Sequence, residues 1–241
     1  MRIKTEADRL LAMIREGRTM SAGQKVRLAV MLSVPAVVAQ LSSIVMQYID
    51  ASMVGSLGAE ASAAIGLVST TTWLFGGLLS AAASGFSVQV AHRIGAGDWE
   101  GAQRVLRQSV VAVLAFSLLL ASIGAGISSS LPVWLGGAES IHRDASTYFL
   151  IISLFLPALQ MQFLAGGMLR CSGNMHVPSM AGVAMCALDV VFNFLLIFPS
   201  RTVAVAGFDV FLPGPGLGVE GAALGTVLAE TVVVAWLLWY L

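Results

Sequence analysis

Six long apolar segments constrain the fold of this chain more than any other feature. A helix needs ~20 mostly apolar residues to cross the hydrocarbon core of a bilayer. Only 11% of the 241 residues are charged, whereas a soluble domain carries roughly 25% and needs that polar surface to cover itself. The sequence therefore predicts an all-α integral membrane protein, a six-transmembrane-helix bundle. The predicted spans are about 28–54, 61–90, 107–130, 145–169, 178–199 and 218–241.

The basic residues predict how the spans are oriented. Eleven Lys and Arg lie before the first span or in the second and fourth connections, whereas the other connections hold only Arg143 and Arg201. Because basic loops stay in the cytoplasm, we expect a multi-pass protein of the cell membrane with a cytoplasmic N-terminus. The loops around Arg93 and Arg170 are then cytoplasmic too.

Residues 1–27 precede the first span and contain no continuous apolar run of the kind that a signal peptide needs. They are predicted to form either a short amphipathic helix on the membrane face or a solvated tail. The helical alternative rests on apolar residues at helical spacing, namely Ile3, Ala7, Leu10, Leu11 and Ile14.

Two local features bear on helix packing. Pro35 and Pro157 lie inside the first and fourth predicted spans, and each removes a backbone donor and favours a kink. Gly221 and Gly225 are four residues apart in the last span, a spacing of small residues that lets two membrane helices approach closely.

Three acidic residues lie inside predicted spans, and no Lys or Arg lies deep enough to pair with them: Asp50, Asp189 and Glu230. A charged group at mid-membrane costs at least ~2.5–3.5 kcal/mol, so such groups usually mark an ion or proton path. A carboxyl group without a basic partner either holds a proton or binds a cation. The alternatives are structural: Asp50 could reach interfacial water, Asp189 could form a structural hydrogen bond, and Glu230 could face water or another protein half.

Polar residues on three spans are expected at one depth. Asn193 follows Asp189 by four residues, on the same helix face. At 1.5 Å per residue, Asp50, Asn193 and Thr226 lie ~8–11 Å below the outer surface. We therefore predict that Asp50, Asp189, Asn193 and Thr226 form a proton-coupling or cation-coupling site, with sodium at Asp50 and Asn193 as the metal alternative. Glu230 and Gln47 are secondary candidates.

Other functional classes find little support. The three histidines His92, His142 and His176 lie in loops or at span edges, so an intramembrane serine protease would lack its base. Cys171 and Cys186 do not have the spacing of metal ligands, and the net charge of zero gives no field that attracts nucleic acid. We expect no enzyme, no cofactor other than a coupling ion and no nucleic-acid partner.

Five stretches occur in an order that resembles one family. Together they resemble the N-terminal lobe of a multidrug and toxic compound extrusion (MATE) transporter over roughly residues 28–241. They are "DASMVGSLG" from Asp50, "RIGAGDWEGA" from Arg93, "LRCSGNMHVP" from Leu169, "LDVVFNFLLIF" from Leu188 and "GVEGAALGT" from Gly218.

This resemblance implies one lobe of a twelve-helix antiporter with two six-helix lobes. Such proteins export organic cations and other drug-like molecules in exchange for protons or sodium. The family role of a first-helix carboxylate falls on Asp50, and its polar partners on the fifth and sixth helices would be Asp189, Asn193 and Thr226. Asp at position 189 departs from the commoner Asn, which leaves the coupling ion open.

The expected function is therefore half of a coupled drug antiporter, a fragment whose partners are the lipid bilayer and a missing C-terminal six-helix lobe. One alternative is a lipid-linked oligosaccharide flippase, but its anionic pyrophosphate substrate would call for Lys or Arg in the cavity. The other alternative is a truncated membrane scaffold that transports nothing.

Overall fold

Long apolar helices make up most of the computed structural model, which describes residues 6–205 and 208–241. Within this part of the chain, five helices are long and apolar enough to cross a membrane, and a bent pair of helices supplies a sixth span. The predicted six-span, all-α membrane bundle is confirmed. The helices are α1 (Glu6–Arg15), α2 (Ala22–Gly55), α3 (Ala59–Gly95), α4 (Trp99–Ile127), α5 (Leu131–Trp134), α6 (His142–Leu154), α7 (Leu156–Cys171), α8 (His176–Ile197) and α9 (Gly218–Tyr240).

The fourth predicted span is not one helix. It is divided into α6 and α7, which meet at Phe155 with a bend of 46°. Pro157 lies at the start of α7, where its missing N–H has no intrahelical partner to lose. Pro35, in contrast, lies inside an uninterrupted α2.

The bundle buries its core between helices and leaves apolar residues on its outside. The largest core cluster joins α3, α4 and α6, with the rings of Phe75 and Phe149 5.9 Å apart. Much of α2 is exposed, including Val34, Leu41 and Val45 at 53%, 56% and 56%. Apolar surface of this extent fits lipid or a second protein surface rather than water.

The connection between α8 and α9 is a β-ribbon that the sequence analysis did not predict. Strands β1 (Pro199–Val205) and β2 (Phe208–Pro215) pair antiparallel, with Thr202 opposite Phe211. The proline and glycine residues near its end exclude a helix. Because the ribbon returns on itself, α9 begins beside the end of α8, and the two helices pack side by side.

The connection between α3 and α4 is a tight turn closed by Asp98. Gly97 has a φ of +76°, a conformation that favours glycine. One carboxylate oxygen of Asp98 accepts from the Gly101 N–H at 2.8 Å, and the other accepts from Arg93 at 2.9 Å. The Gly101 N–H and Arg93 hold the pKa of Asp98 below its usual range.

The N-terminal helix α1 folds back onto the start of α2. Leu10 is buried against Leu28, and Glu6 pairs with Arg27 at 2.7 Å. Ile3, part of the predicted amphipathic pattern, lies outside the described residues.

Candidate functional site

The amide of Asn193 holds two carboxyl groups from different helices. Its Nδ2 atom donates to Asp50 of α2 at 3.0 Å and to Asp189 of α8 at 3.1 Å. Asn193 and Asp189 reach each other because they are one helical turn apart on the same face of α8. Because both accept from the same Nδ2 atom, the carboxyl groups of Asp50 and Asp189 are close enough to interact electrostatically. Three of the predicted site residues therefore form one cluster, which we call the Asn193 cluster.

This cluster lies in the interior of the bundle. Asp189 is 0% exposed and Asn193 is 1% exposed, whereas Asp50 is half-buried. Within the described part of the chain, Oδ1 of Asp189 and Oδ1 of Asn193 have no hydrogen-bond partner. Two buried oxygens that accept hydrogen bonds are thus available to a proton or a cation.

Helix α9 approaches the Asn193 cluster closely because glycines occupy its contact with α8. A Cβ atom at Gly225 would overlap Oδ1 of Asn193, and one at Gly221 would lie 2.6 Å from the backbone oxygen of Leu196. The glycine pair therefore brings α9 against α8, as its spacing predicts. Thr226 follows Gly225 and lies beside Asp189, while its hydroxyl donates to the Ala222 carbonyl at 3.1 Å.

The two secondary candidates occupy different environments. Glu230 is buried on α9, one turn beyond Thr226, and interacts electrostatically with Asp189. Gln47 is exposed on α2, one turn before Asp50. Glu230 is therefore close to the Asn193 cluster, and Gln47 lies on the surface of the lobe.

Two polar residues of the interior were not among the predicted site residues. Tyr148 of α6 lies close enough to Asp50 and Asp189 to interact with both carboxyl groups. Gln160 of α7 is 0% exposed, and no described residue bonds to its amide. A signal was present for Gln160, because an amide inside an apolar span needs a buried partner. The sequence contains no comparable signal for Tyr148, since a tyrosine near the end of a span is common in membrane helices.

The arrangement can bind a positively charged ion. The ion pairs in the described residues join Arg18 to Glu16, Arg27 to Glu6 and Arg93 to Asp98, all at exposed positions. No described Lys or Arg pairs with the Asn193 cluster, and buried charge without a partner is strongly disfavoured. A proton or a monovalent cation at the carboxyl and amide oxygens would neutralise it. Among the described residues, no group of three His, Cys, Asp or Glu has the geometry of a metal site.

Comparison with known proteins gives a consistent result. The sequence model of the MatE family matches residues 35–195. A probable multidrug resistance protein NorM of Agrobacterium fabrum is 28% identical over 83% of this chain and 40% of its own length. An FAD transporter of Shewanella oneidensis is 22% identical over 87% of this chain and 44% of its own length.

The fold comparison agrees with the sequence comparison. The crystal structure of a MATE protein in the straight conformation superposes with a TM-score of 0.77 at 25% identity, covering 88% of this chain and 44% of that one. The chain therefore spans less than half the length of these relatives, in a region that they share with it.

Replacing Gly225 with alanine tests the close approach of α9. The new methyl group would overlap the Asn193 oxygen, so we expect a loss of ~1–3 kcal/mol in the free energy of unfolding, as for other overpacked interiors. Thermal unfolding of the purified protein in detergent measures this loss.

The matched control is Gly66→Ala in α3, because a Cβ there meets nothing within 4 Å. This substitution should leave the protein equally stable or stabilise it by up to ~1 kcal/mol, since alanine favours a helix. Equal stability of the two variants would contradict the packing described for α8 and α9.

Proposed function

Because the chain belongs to the MatE family of multidrug and toxic compound transporters, we propose that it forms the ion-coupling lobe of an antiporter. The antiporter exports organic cations and other drug-like molecules in exchange for protons or sodium. The whole activity is a proposal because the chain spans only 40–44% of the length of its matched relatives. The second six-helix lobe is the proposed partner.

The observation that carries this proposal is the bridge from Asn193 to Asp50 and Asp189. It joins α2 to α8 through two carboxyl groups that have no basic partner among the described residues. A purely structural contact would be served by neutral side chains at lower cost, since buried charge is expensive. Two acids held together are instead suited to taking up and releasing a positive charge.

Uptake of that charge can change how α2 packs on α8. Without a bound ion, the carboxyl groups of Asp50 and Asp189 repel each other across the contact, and a proton or cation removes the repulsion. Pro35 breaks one hydrogen bond inside α2 and provides a point of flexure between the ends of this helix. The ion then drives export by binding one conformation of the lobe more tightly than the other.

Small-molecule export is favoured over flipping of a lipid-linked oligosaccharide. A pyrophosphate substrate calls for Arg or Lys in its cavity, whereas the charged groups in the described interior are acidic. The two relatives described above are a probable multidrug resistance protein and an FAD transporter. FAD carries phosphates, whereas the buried charged groups of this lobe are acidic. We therefore propose drug-like molecules as the substrate class, with recognition of any anionic group of the substrate outside this lobe.

We also propose that the N-terminus lies in the cytoplasm. In a variant without Cys171 and Cys186, single cysteines replacing Ala96 and Ser172 should react only with membrane-permeant reagents. One replacing Ser140 should react with impermeant reagents added outside. All three positions are exposed, and Ala96 avoids the positive φ of neighbouring Gly97. Labelling of intact cells measures this, and the reverse pattern would exclude the proposed orientation.

Asp50→Asn tests ion coupling directly. The substitution keeps the shape of the side chain and the contact with Asn193 but removes the group that binds the ion. We expect drug efflux from cells expressing the full-length transporter to fall to background at normal expression. Efflux under separately collapsed proton and sodium gradients identifies the ion in the parent protein.

The matched control for Asp50→Asn is Asp144→Asn. Asp144 lies in the first turn of α6 and is half-buried, so its loss should leave efflux unchanged. Normal efflux in Asp50→Asn would favour a lobe that does not couple ions.

Asn193→Ala tests the bridge itself. The variant keeps both acids and removes the amide that bonds them. Hydrogen bonds to charged groups contribute ~1.5–3 kcal/mol and favour the ionised acids, so for a coupling proton we expect the affinity to rise by about ten-fold to a hundred-fold when these bonds are lost. Transport rates at increasing ion concentration measure the affinity. Asn174→Ala is the control, since Asn174 bonds to Tyr240 at the far end of the lobe, and an equal change in both variants would point to a general effect on the fold.

A further inference from the structure

A groove lies between α3 and α7, near the end of α7. Its volume is about 310 Å³, which is at the lower end of the range for small-molecule sites. Ser84 and Val88 of α3 line one side and are exposed, while Phe163 and Arg170 of α7 line the other side. No member of the Asn193 cluster lines this groove. It is therefore a separate feature of the lobe, which we call the α3–α7 groove.

The groove extends from the membrane interface into the depth of the span. It follows α3 from Ala91 back to Ser80, a length of ~16 Å at 1.5 Å per residue. Ala91 lies about one turn before the end of α3 at Gly95. Arg93 lies at the same end, and basic residues of this kind mark the edge of the bilayer. A molecule in the groove would therefore have one end at the interface and the other among the lipid chains.

A close contact between α3 and α7 forms the floor of the groove. A Cβ atom at Gly167 would overlap Oγ of Ser87, so the two helices can approach at this layer only because residue 167 has no side chain. The thiol of Cys171, one turn later, donates to the Ser87 carbonyl at 3.1 Å. The floor is therefore set by the packing of the two helices.

Arg170 brings a positive charge to the groove. It takes part in none of the ion pairs found among the described residues. Its side chain turns back along α7, so that Nη1 and Nη2 lie 3.9 Å from the position of a Cβ atom at Gly166, one turn earlier. An arginine that only anchors a helix end extends its charged group toward water, whereas this guanidinium lies away from the end of α7. A guanidinium in such a place can bind a phosphate group through two parallel N–H bonds.

Two serine hydroxyl groups lie deeper in the groove than Arg170. Ser84 and Ser80 are about one and two turns further from the interface than Ser87, whose hydroxyl donates to the Ala83 carbonyl at 2.9 Å. Within the described part of the chain, the hydroxyl groups of Ser80 and Ser84 have no hydrogen-bond partner, so both can donate to a ligand. The groove thus offers a cation near the interface, then hydroxyl donors, beside the apolar side chains of Val88 and Phe163. A phospholipid presents its phosphate, ester carbonyls and acyl chains in the same order.

We propose that the α3–α7 groove binds an anionic phospholipid, with the phosphate at Arg170 and an acyl chain along Val88 and Phe163. Basic pockets between membrane helices bind anionic headgroups in this way, and the charge of Arg170 is what selects an anionic lipid over a zwitterionic one. The bound lipid would fill the space between α3 and α7 and hold these helices together. This site is additional to the proposed function and does not depend on ion coupling.

Native mass spectrometry of the full-length transporter tests this site. The protein is titrated with phosphatidylglycerol or with phosphatidylcholine of the same acyl chains, and we expect phosphatidylglycerol to bind about five-fold more tightly. Arg170→Gln should lower the affinity for phosphatidylglycerol about five-fold and leave that for phosphatidylcholine unchanged, since one basic residue is removed. The matched control is Arg107→Gln, because Arg107 is exposed near the same end of α4 but does not line the groove. This control should keep the affinity of the parent protein.

A second variant tests the place of binding without changing any charge. Ser84→Leu should fill the groove and weaken the binding of phosphatidylglycerol, while thermal unfolding stays that of the parent protein because position 84 is exposed.

Four outcomes would overturn the lipid site. Equal affinity of the parent for the two lipids would show a groove without selectivity, as expected if the second lobe covers it. An equal effect of Arg170→Gln and Arg107→Gln would show attraction by surface charge alone. Unchanged binding in Ser84→Leu would place the lipid elsewhere. Displacement of phosphatidylglycerol by inorganic phosphate would indicate a site for free phosphate.

Discussion

The contact on which this lobe depends is the double hydrogen bond from the Asn193 amide to Asp50 and Asp189. An amide can donate to both acids, but it brings no charge to balance theirs. In a medium of low dielectric constant, two like charges in contact repel strongly. A positive ion or a proton at the cluster would remove this repulsion, and the proposed ion coupling is based on this contact between the helices.

The rest of the bundle serves to keep α8 between α2 and α9. The β-ribbon β1–β2 starts α9 beside the end of α8, and Gly221 and Gly225 let their backbones come close. On the other side, α2 contacts α8 while much of its outer face stays exposed. Helix α2 is therefore weakly covered and is held to α8 by a contact between polar and acidic groups, whereas α9 is held to α8 by close backbone packing.

Much of this arrangement could be predicted from the sequence because its causes are local. Apolar length gave the spans, and the spacing of Asp189 and Asn193 placed both on one helix face. Counting residues from the span ends placed Asp50 near them. The bend at Phe155, the β-ribbon and the isolation of Gln160 could not be predicted in this way. Each of these features depends on neighbours that are distant in sequence. The presence of a single proline or glutamine does not identify the residues that pack against it.

The three acids inside the membrane spans lie on three different helices. Asp50 is on α2, Asp189 on α8 and Glu230 on α9, while no described basic residue pairs with any of them. Asp189 is the member that interacts with both of the others. A positive charge gained at Asp50 therefore lowers the cost of charge at Asp189, which in turn alters the field at Glu230. Since α2 carries only the first acid, the charge of Asp189 and Glu230 bears on the ion binding that we propose at Asp50, and linkage requires the reverse effect to be equally large.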